Sequence, residues 1–376
     1  MGNKVAVRVL MVSMSPLEHD ERINRAATAL RDDGYEVSVL GLGPEPKSVN
    51  WIPIIVGSKE NKSTTRRGRR WDLLRSLFLV AHRRRRRRWF NRSVKETFSS
   101  LGQFDIVHAH DLPALEAILP SLQEENVIFD SHELWSGRKL RGMGSWWEKK
   151  LDEASEKKLT ANVDVVITVS LAIAQILSKQ TNKEIVVIRN TFPLDLNKRP
   201  ISMSYLAYAG NIAGDRDLVT VFQGAQKVGM EVRFMGKVIA PIPEIENMVV
   251  KAGTVSEAGA FVRKGGIAIV SLEGESDNHR FALPNKLFQA ISVGVPVVAA
   301  DLPSIAEVVA KHGIGALYSP GDPDSFARAV ERVRADYFGF LNRVQQAGAT
   351  MSWDLDRKKL LDVYTALSKR QALMPE

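Results

Sequence analysis

The chain has 376 residues, 44% of them hydrophobic, with a formal net charge of +9. That length suits two domains, and that apolar content is enough for ordinary globular cores. There is no cysteine, which excludes disulfides and thiolate chemistry and makes a reducing compartment natural.

The amino terminus, MGNKVAVRVLMVSM, is interrupted by Arg8 and reads as a strand rather than a signal peptide. No apolar run approaches the roughly 20 residues of a membrane span. Val5–Ser13 is a first strand, and Glu21–Arg31 is an amphipathic helix with Ile23, Ala26, Ala27 and Leu30 on one side. Gly34 stops it, and Glu36–Leu40 is a second strand. Strand, loop, helix and strand in that order indicate a doubly wound α/β domain whose ligands lie at the carboxyl ends of strands. In the linking loop, helix capping and surface charge are the local reading of Asp20 and Arg22.

Residues 61–92 hold 13 lysines and arginines against one aspartate, a local +12 that leaves the remainder at −3. Leu74, Leu77, Phe78 and Ala81 recur at i, i+3, i+4 and i+7, bracketed by Trp71, Trp89 and Phe90. Basic amphipathic helices with interfacial tryptophans dock on anionic lipid, at about 1 kcal/mol per basic residue. A solvated loop is the competing reading. Nucleic acid is not the expected partner, because no recognised nucleic-acid module accompanies the run.

FDIVHAH (104–110) and VIFDSHE (127–133) are two short buried strands that end in histidines and acids: His110 and Asp111, then Asp130, Ser131, His132 and Glu133. A single histidine at a strand end is commonly structural, but two such neighbouring ends favour function. Neither an H-x-x-x-H pattern nor a carboxylate triad accompanies them, so no metal is expected. Trp146–Leu159 reads as an exposed brace. Val163–Val169 and Ile185–Ile188 are strands, and residues 191–204 read as a linker.

A second α/β domain opens at Tyr205 with YLAYAGNIAGDRDLVTVFQGA, a strand, a glycine-centred turn and a helix. Gly210 lets backbone approach a phosphate, and the helix offers its amino end. Glu231–Met235, Met248–Ala252 and Gly266–Ser271 are further strands, the last leading into an acidic loop at 273–277. From Phe281 to Val309 a proline-led helix (Pro284, Asn285, Lys286) is closed by Gly294 and followed by a buried strand, Val295–Ala300. Helix start, lysine and strand together are a phosphate-site architecture. Residues 324–346 read as one helix, and a last amphipathic helix carries Leu360, Leu361, Val363, Tyr364 and Leu367.

The stretch PNKLFQAISVGVPVVAADLP resembles the donor-site motif of retaining glycosyltransferases of the GT-B fold, family 4 (group 1 type). The resemblance covers nearly the whole chain apart from residues 50–100. It implies an α/β architecture of two Rossmann-like doubly wound domains facing a central cleft, 1–195 for the acceptor and 205–350 for the nucleotide sugar, with 351–376 crossing back to the first domain. It implies transfer of a hexosyl or N-acetylhexosaminyl group, with retention, from a UDP- or GDP-linked donor to a lipid-linked or surface-polysaccharide precursor. No metal and no further cofactor are implied. The expected location is cytoplasmic, peripheral at the inner face of the cell membrane through 61–92.

Residue by residue, the resemblance makes His132 the catalytic group beside the donor sugar, with Asp20, Arg22, His110, Asp111 and Glu133 toward the substrate. Gly210, Asn211 and Arg216 would take the diphosphate with Pro284, Asn285 and Lys286. Asn211 stands where the family has arginine. Gln289 stands where the family has a glutamate on the ribose, and an amide bonds a diol without charge assistance. The family's earlier glutamate would fall near His279 or Phe281, with Glu273, Glu275 and Asp277 just upstream. Two alternatives stay open: a sugar-nucleotide 2-epimerase of the same fold, which should pair acid and base carboxylates, and a non-catalytic nucleotide-sugar-binding relative.

Overall fold

The computed structural model describes residues 6–17, 20–43, 50–53, 70–140, 145–196, 203–242, 245, 248 and 250–371, with the side chains of 50, 70–79, 255–256 and 371 outside that description. The chain divides into two compact units, Met1–Ile188 with Arg357–Glu376, and Arg189–Asp356.

The first unit alternates strands and helices: β1 (Arg8–Pro16), α1 (Glu21–Asp32), β2 (Glu36–Leu42), β3 (Asn50–Pro53), α2 (Arg70–Phe98), β4 (Ile106–His110), α3 (Asp111–Ile118), β5 (Asn126–Ser131), α4 (Ser145–Thr160), β6 (Val165–Thr168), α5 (Leu171–Leu177) and β7 (Glu184–Val187). Among the described residues its strands form one sheet in the order β3-β2-β1-β4-β5-β6-β7, and every pairing in it is parallel. Parallel strands are covered on both faces, so they are continuous apolar runs; Val9 to Val12 have no exposed surface. The order reverses between β1 and β4, which puts the ligand crevice of such a sheet at their carboxyl ends.

The second unit contains β8 (Tyr205–Ala209), α6 (Leu218–Lys227), β9 (Val232–Met235), β10 (Val250–Lys251), α7 (Val255–Gly265), β11 (Gly266–Val270), α8 (Asp277–Phe281), α9 (Asn285–Ser292), β12 (Val297–Ala300), α10 (Pro303–His312), β13 (Gly315–Tyr318), α11 (Pro323–Ala335) and α12 (Tyr337–Thr350). Its described strands are ordered β10-β9-β8-β11-β12-β13, again parallel, with the reversal between β8 and β11. A final helix, α13 (Trp353–Gln371), starts in this unit, and its residues from Arg357 belong with the first.

Four details differ from the sequence reading. The single helix expected over 324–346 is two, broken at Asp336, whose φ of −125° and ψ of 40° are not helical; its carboxylate binds Arg343 instead, at 2.7 Å. A five-residue helix, α8, occupies part of the acidic loop, capped by Ser276 Oγ, which accepts from His279 N at 3.1 Å. The strand expected over 248–252 shrinks to two residues. Phe90, expected to flank a lipid-facing side, is instead fully buried, as is Val94; both extend a stripe begun by Arg83 and Arg87 that turns toward the unit's interior. Trp71, Leu74, Leu77 and Phe78 lie outside the described side chains.

Candidate functional site

In the first unit the strand ends gather four charged or ionisable groups around one carboxylate. Parallel register places His110 of β4 beside Asp130 of β5, and His108 shares its face because alternate strand residues point the same way. The rings of His108 and His110 stack with centroids 4.1 Å apart. Arg22, in the first turn of α1, forks onto Asp130 with Nε–Oδ2 of 2.7 Å and Nη2–Oδ1 of 2.8 Å, and its Nη1 donates to the Ile188 carbonyl at 2.9 Å. Asp130 Oδ2 also lies 3.6 Å from His108 Nε2, His110 Nδ1 and His132 Nε2. Burial would raise the Asp130 carboxyl, but Arg22 and His132 outweigh it and hold it well below the usual range.

His132 is fixed from both sides. Its backbone N–H donates to Asp111 Oδ1 at 3.0 Å, its Nδ1 lies 3.7 Å from Asp111 Oδ2, and its Nε2 is 3.0 Å from His110 Nδ1. Burial works against protonation of His132, yet the Asp111 and Asp130 carboxylates prevail and raise it to about 9. His110 goes the other way, pushed well below its ordinary value by burial and by His108. The two rings therefore divide the labour: a charged His132 donates from Nε2 to a neutral His110. Asp111 is raised, first by burial, with His132 pulling it back. It also sits at φ 64°, left-handed backbone that a non-glycine residue rarely adopts. Strain of that kind concentrates at functional positions.

The expected residues of this unit fall into two sets. His110, Asp111, His132 and Arg22 come together around Asp130. Asp20 instead caps α1, its Oδ1 accepting from Ile23 N at 3.2 Å, and Glu133 lies 3.6 Å from Arg138. Sequence reasoning left His108 and Tyr364 out; Tyr364 Oη is 2.8 Å from His108 Nδ1. The H-x-H alternation signalled His108, but nothing local signals a partner 256 residues away. His108, His110 and Asp130 also bring one donor atom each within 4.8 Å, close enough for a metal ion. Both Asp130 oxygens are taken by Arg22, and His110 Nδ1 by His132, so the set fits an ion-pair network better than a cation site.

The second unit builds a different site where its strand order reverses. Gly210, at φ 125°, follows β8, and a side chain there would meet only Lys286 Cε, 4.0 Å from its Cβ. Lys286, in the first turn of α9, lays its ammonium over the Tyr208 ring, 3.7 Å from the centroid. Tyr208 Oη donates to the Asn211 carbonyl at 2.7 Å, which shapes the turn. Lys286 is held well below an ordinary lysine, first by desolvation and then by Arg216. Arg216 lies 3.4 Å from Asp215, and Asp215 lies 3.3 Å from His279 of α8. The Glu273 N–H donates to the Asp215 carbonyl at 3.2 Å, tying the loop after β8 to the loop after β11. Pro284 caps α9 in extended backbone, Asn285 is exposed at its start, and Gln289 is buried in its second turn. Two cations, a glycine turn and a helix start thus converge on one point, the equipment for a diphosphate. His279 joins Asp215 at a position where an acid was expected.

Two family models match the chain: Glycosyltransferase Family 4 over residues 22–196 and Glycosyl transferases group 1 over residues 211–336. A search of curated proteins gives no match. Among solved structures, sucrose-phosphate synthase from Thermosynechococcus elongatus has 13% identity and a TM-score of 0.67, covering 97% of this chain and 100% of that one. A glycosyltransferase from Rickettsia africae has 12% identity and a TM-score of 0.62, covering 97% and 99%. TcCGT1 in complex with UDP has 10% identity and a TM-score of 0.60, also covering 97% and 99%. At these identities the likeness is one of fold.

Proposed function

Since the chain belongs to the family 4, group 1 glycosyltransferases, we propose that it moves a hexosyl or N-acetylhexosaminyl group from a UDP- or GDP-linked donor to a lipid-linked or surface-polysaccharide precursor, with retention. The observation that carries the donor half is the convergence of Gly210, Lys286, Arg216 and the α9 start at the strand-order reversal of the second unit. Cleaving the sugar–phosphate bond leaves a nucleoside diphosphate with one more negative charge on the departing oxygen. Preorganised cations and N–H groups aimed at that oxygen lower the barrier without reorganising. In a front-face displacement the departing phosphate accepts the acceptor's proton as the acceptor oxygen bonds to the anomeric carbon on the same side.

His132 is the group we assign to the transferred sugar. It is held protonated and locked between Asp111, Asp130 and His110, which suits donating a hydrogen bond to a sugar hydroxyl or to the departing phosphate, where negative charge develops, and is unsuited to a nucleophile. Asp130 and Arg22 are positioning groups in this reading. We assign the donor chemistry to the residues above without a bound metal or further cofactor, and we propose a cytoplasmic location, peripheral at the inner face of the cell membrane.

The test is donor hydrolysis and binding across a panel of sugar nucleotides, wild type beside His132→Ala. Release of free nucleotide from one donor, lost in the variant while nucleotide still binds, supports the assignment. Binding of donors with no turnover of any of them, with membrane extract supplied as acceptor source, would sink it in favour of a non-catalytic relative.

A further inference from the structure

The surface of the first unit carries an aromatic feature that sugar transfer does not use. Trp146 and Trp147 of α4 are 54% and 56% exposed, and Leu151, one turn on, is 55% exposed. Exposed apolar side chains scattered singly are ordinary, but three large ones within two turns of one helix are not. The indoles stack on each other with centroids 4.0 Å apart at 26°, and Lys150 Nζ lies 5.9 Å from the Trp146 ring.

The polarity of α4 is divided by side. Glu148, Asp152 and Glu156, four residues apart, are buried, whereas Lys149, Lys150, Lys157 and Lys158 are exposed. The acids turn inward because α2 meets them there: Arg83 binds Glu148 with Nη2–Oε2 of 2.6 Å, and Arg87 binds Asp152 at 2.5 Å and Glu116 of α3. On α2 the stripe Arg83, Arg87, Phe90 and Val94 faces the protein, so Arg85, Arg88 and Arg92 project from the opposite side, and all three are exposed. The ion pairs hold α2 and α4 side by side over α3. The outer side of each helix is basic apart from a few glutamates such as Glu153, and α4 adds the exposed tryptophans near its start.

We propose that the exposed basic and aromatic residues of these two helices dock the protein on an anionic lipid surface, with Trp146, Trp147 and Leu151 entering the headgroup layer and Arg85, Arg88 and Arg92 contacting lipid phosphates. The proposal deepens the lipid-linked acceptor reading above and rests on it only for its purpose. Charge complementarity selects an anionic partner. Indoles beside lysines suit the boundary between water and acyl chains, where one end of the side chain is wet and the other apolar. Nucleic acid suits the surface less well, because each indole already spends one face on the other. The sequence placed the aromatic anchors at Trp71, Trp89 and Phe90; the structure removes Phe90 to the core, the side chain of Trp71 lies outside the described residues, and the tryptophans of α4 are exposed in addition.

The test is sedimentation of the full-length protein with vesicles of phosphatidylcholine alone or mixed with phosphatidylglycerol, repeated with R85E/R88E and W146S/W147S. The expected result is binding that needs phosphatidylglycerol and weakens with salt. R85E/R88E should lower it by at least about tenfold, since each basic residue near such a surface contributes about fivefold. W146S/W147S should abolish quenching of tryptophan fluorescence by brominated acyl chains. All four substituted positions are on the surface, and unchanged thermal unfolding of the variants checks that they fold. Equal sedimentation with neutral and anionic vesicles, wild-type binding by both variants, or capture of a DNA duplex in place of vesicles would each overturn the proposal. Hydrolysis of a soluble sugar nucleotide by the same variants is expected to be unchanged, so that loss of docking and loss of transferase chemistry are separable outcomes.

Discussion

Lys286 and His132 are both desolvated cation formers, and their neighbours decide their charge in opposite senses. Lys286 has Arg216 for company and is depressed; His132 has two carboxylates and is raised. A depressed lysine is a poor cation until an anion arrives. Binding of a nucleoside diphosphate should therefore raise Lys286 and draw a proton from solvent. Calorimetry in buffers of different ionisation heat should show that uptake, and affinity should fall as pH climbs. In Lys286→Met both the uptake and about 1–3 kcal/mol of affinity should vanish, the usual worth of a charge-assisted contact; equal uptake in the variant would assign the proton elsewhere. For His132 the sign is reversed. A raised folded-state value means the charged form's contribution is complete below the ordinary value of 6.5 and is lost as pH rises through about 9. Donor turnover should show an alkaline limb near that value, absent from His132→Gln, which keeps a donor group but cannot titrate.

Gly236 shows what single positions demand of whole elements. It ends β9 at φ 150°, and a Cβ there would stand 2.0 Å from the Gly210 carbonyl oxygen. Gly236→Ala must push the turn after β8 away from β9, so it should lower the melting temperature and weaken nucleotide binding together; a binding-competent Gly236→Ala of wild-type stability would refute the close approach. Elements with a strong local signature were legible in the sequence: apolar runs read as buried parallel strands, and Pro284 with Gly294 marked both ends of α9. Elements decided by neighbours were not. The α11–α12 break depends on where the Asp336 carboxylate finds Arg343. At the site, His110, Asp111 and His132 were readable because they end strands. Arg22 was read as a ligand group, and the structure pairs it with Asp130. That pairing spans 108 residues, and no local pattern encodes it.

Over the whole molecule the most distant dependence in sequence is that of the first unit on the chain's end. Tyr364 has no exposed surface, and neither does Leu367, while Leu360 and Val363 are nearly as buried; they group with a unit whose other residues end at Ile188. The Tyr364 hydroxyl lies 2.8 Å from His108 Nδ1; when it donates there, the His108 proton sits on Nε2, on the side of Asp130. The tyrosine thereby sets the tautomer of a histidine in the candidate site. Tyr364→Phe keeps the ring and removes that donor, leaving a buried nitrogen without its partner. It should cost about 1–3 kcal/mol, the desolvation penalty of an orphaned polar group. Tyr364→Ala adds a cavity and should cost about 3–5 kcal/mol, as aromatic truncations do in packed cores. Calorimetry checks where the loss falls: the transition of the first unit should move down, while nucleotide-induced stabilisation, which belongs to Gly210, Arg216 and Lys286, should persist. Loss of nucleotide binding in Tyr364→Phe would show that the two units do not hold their sites independently. The chain's last helix would then act on both.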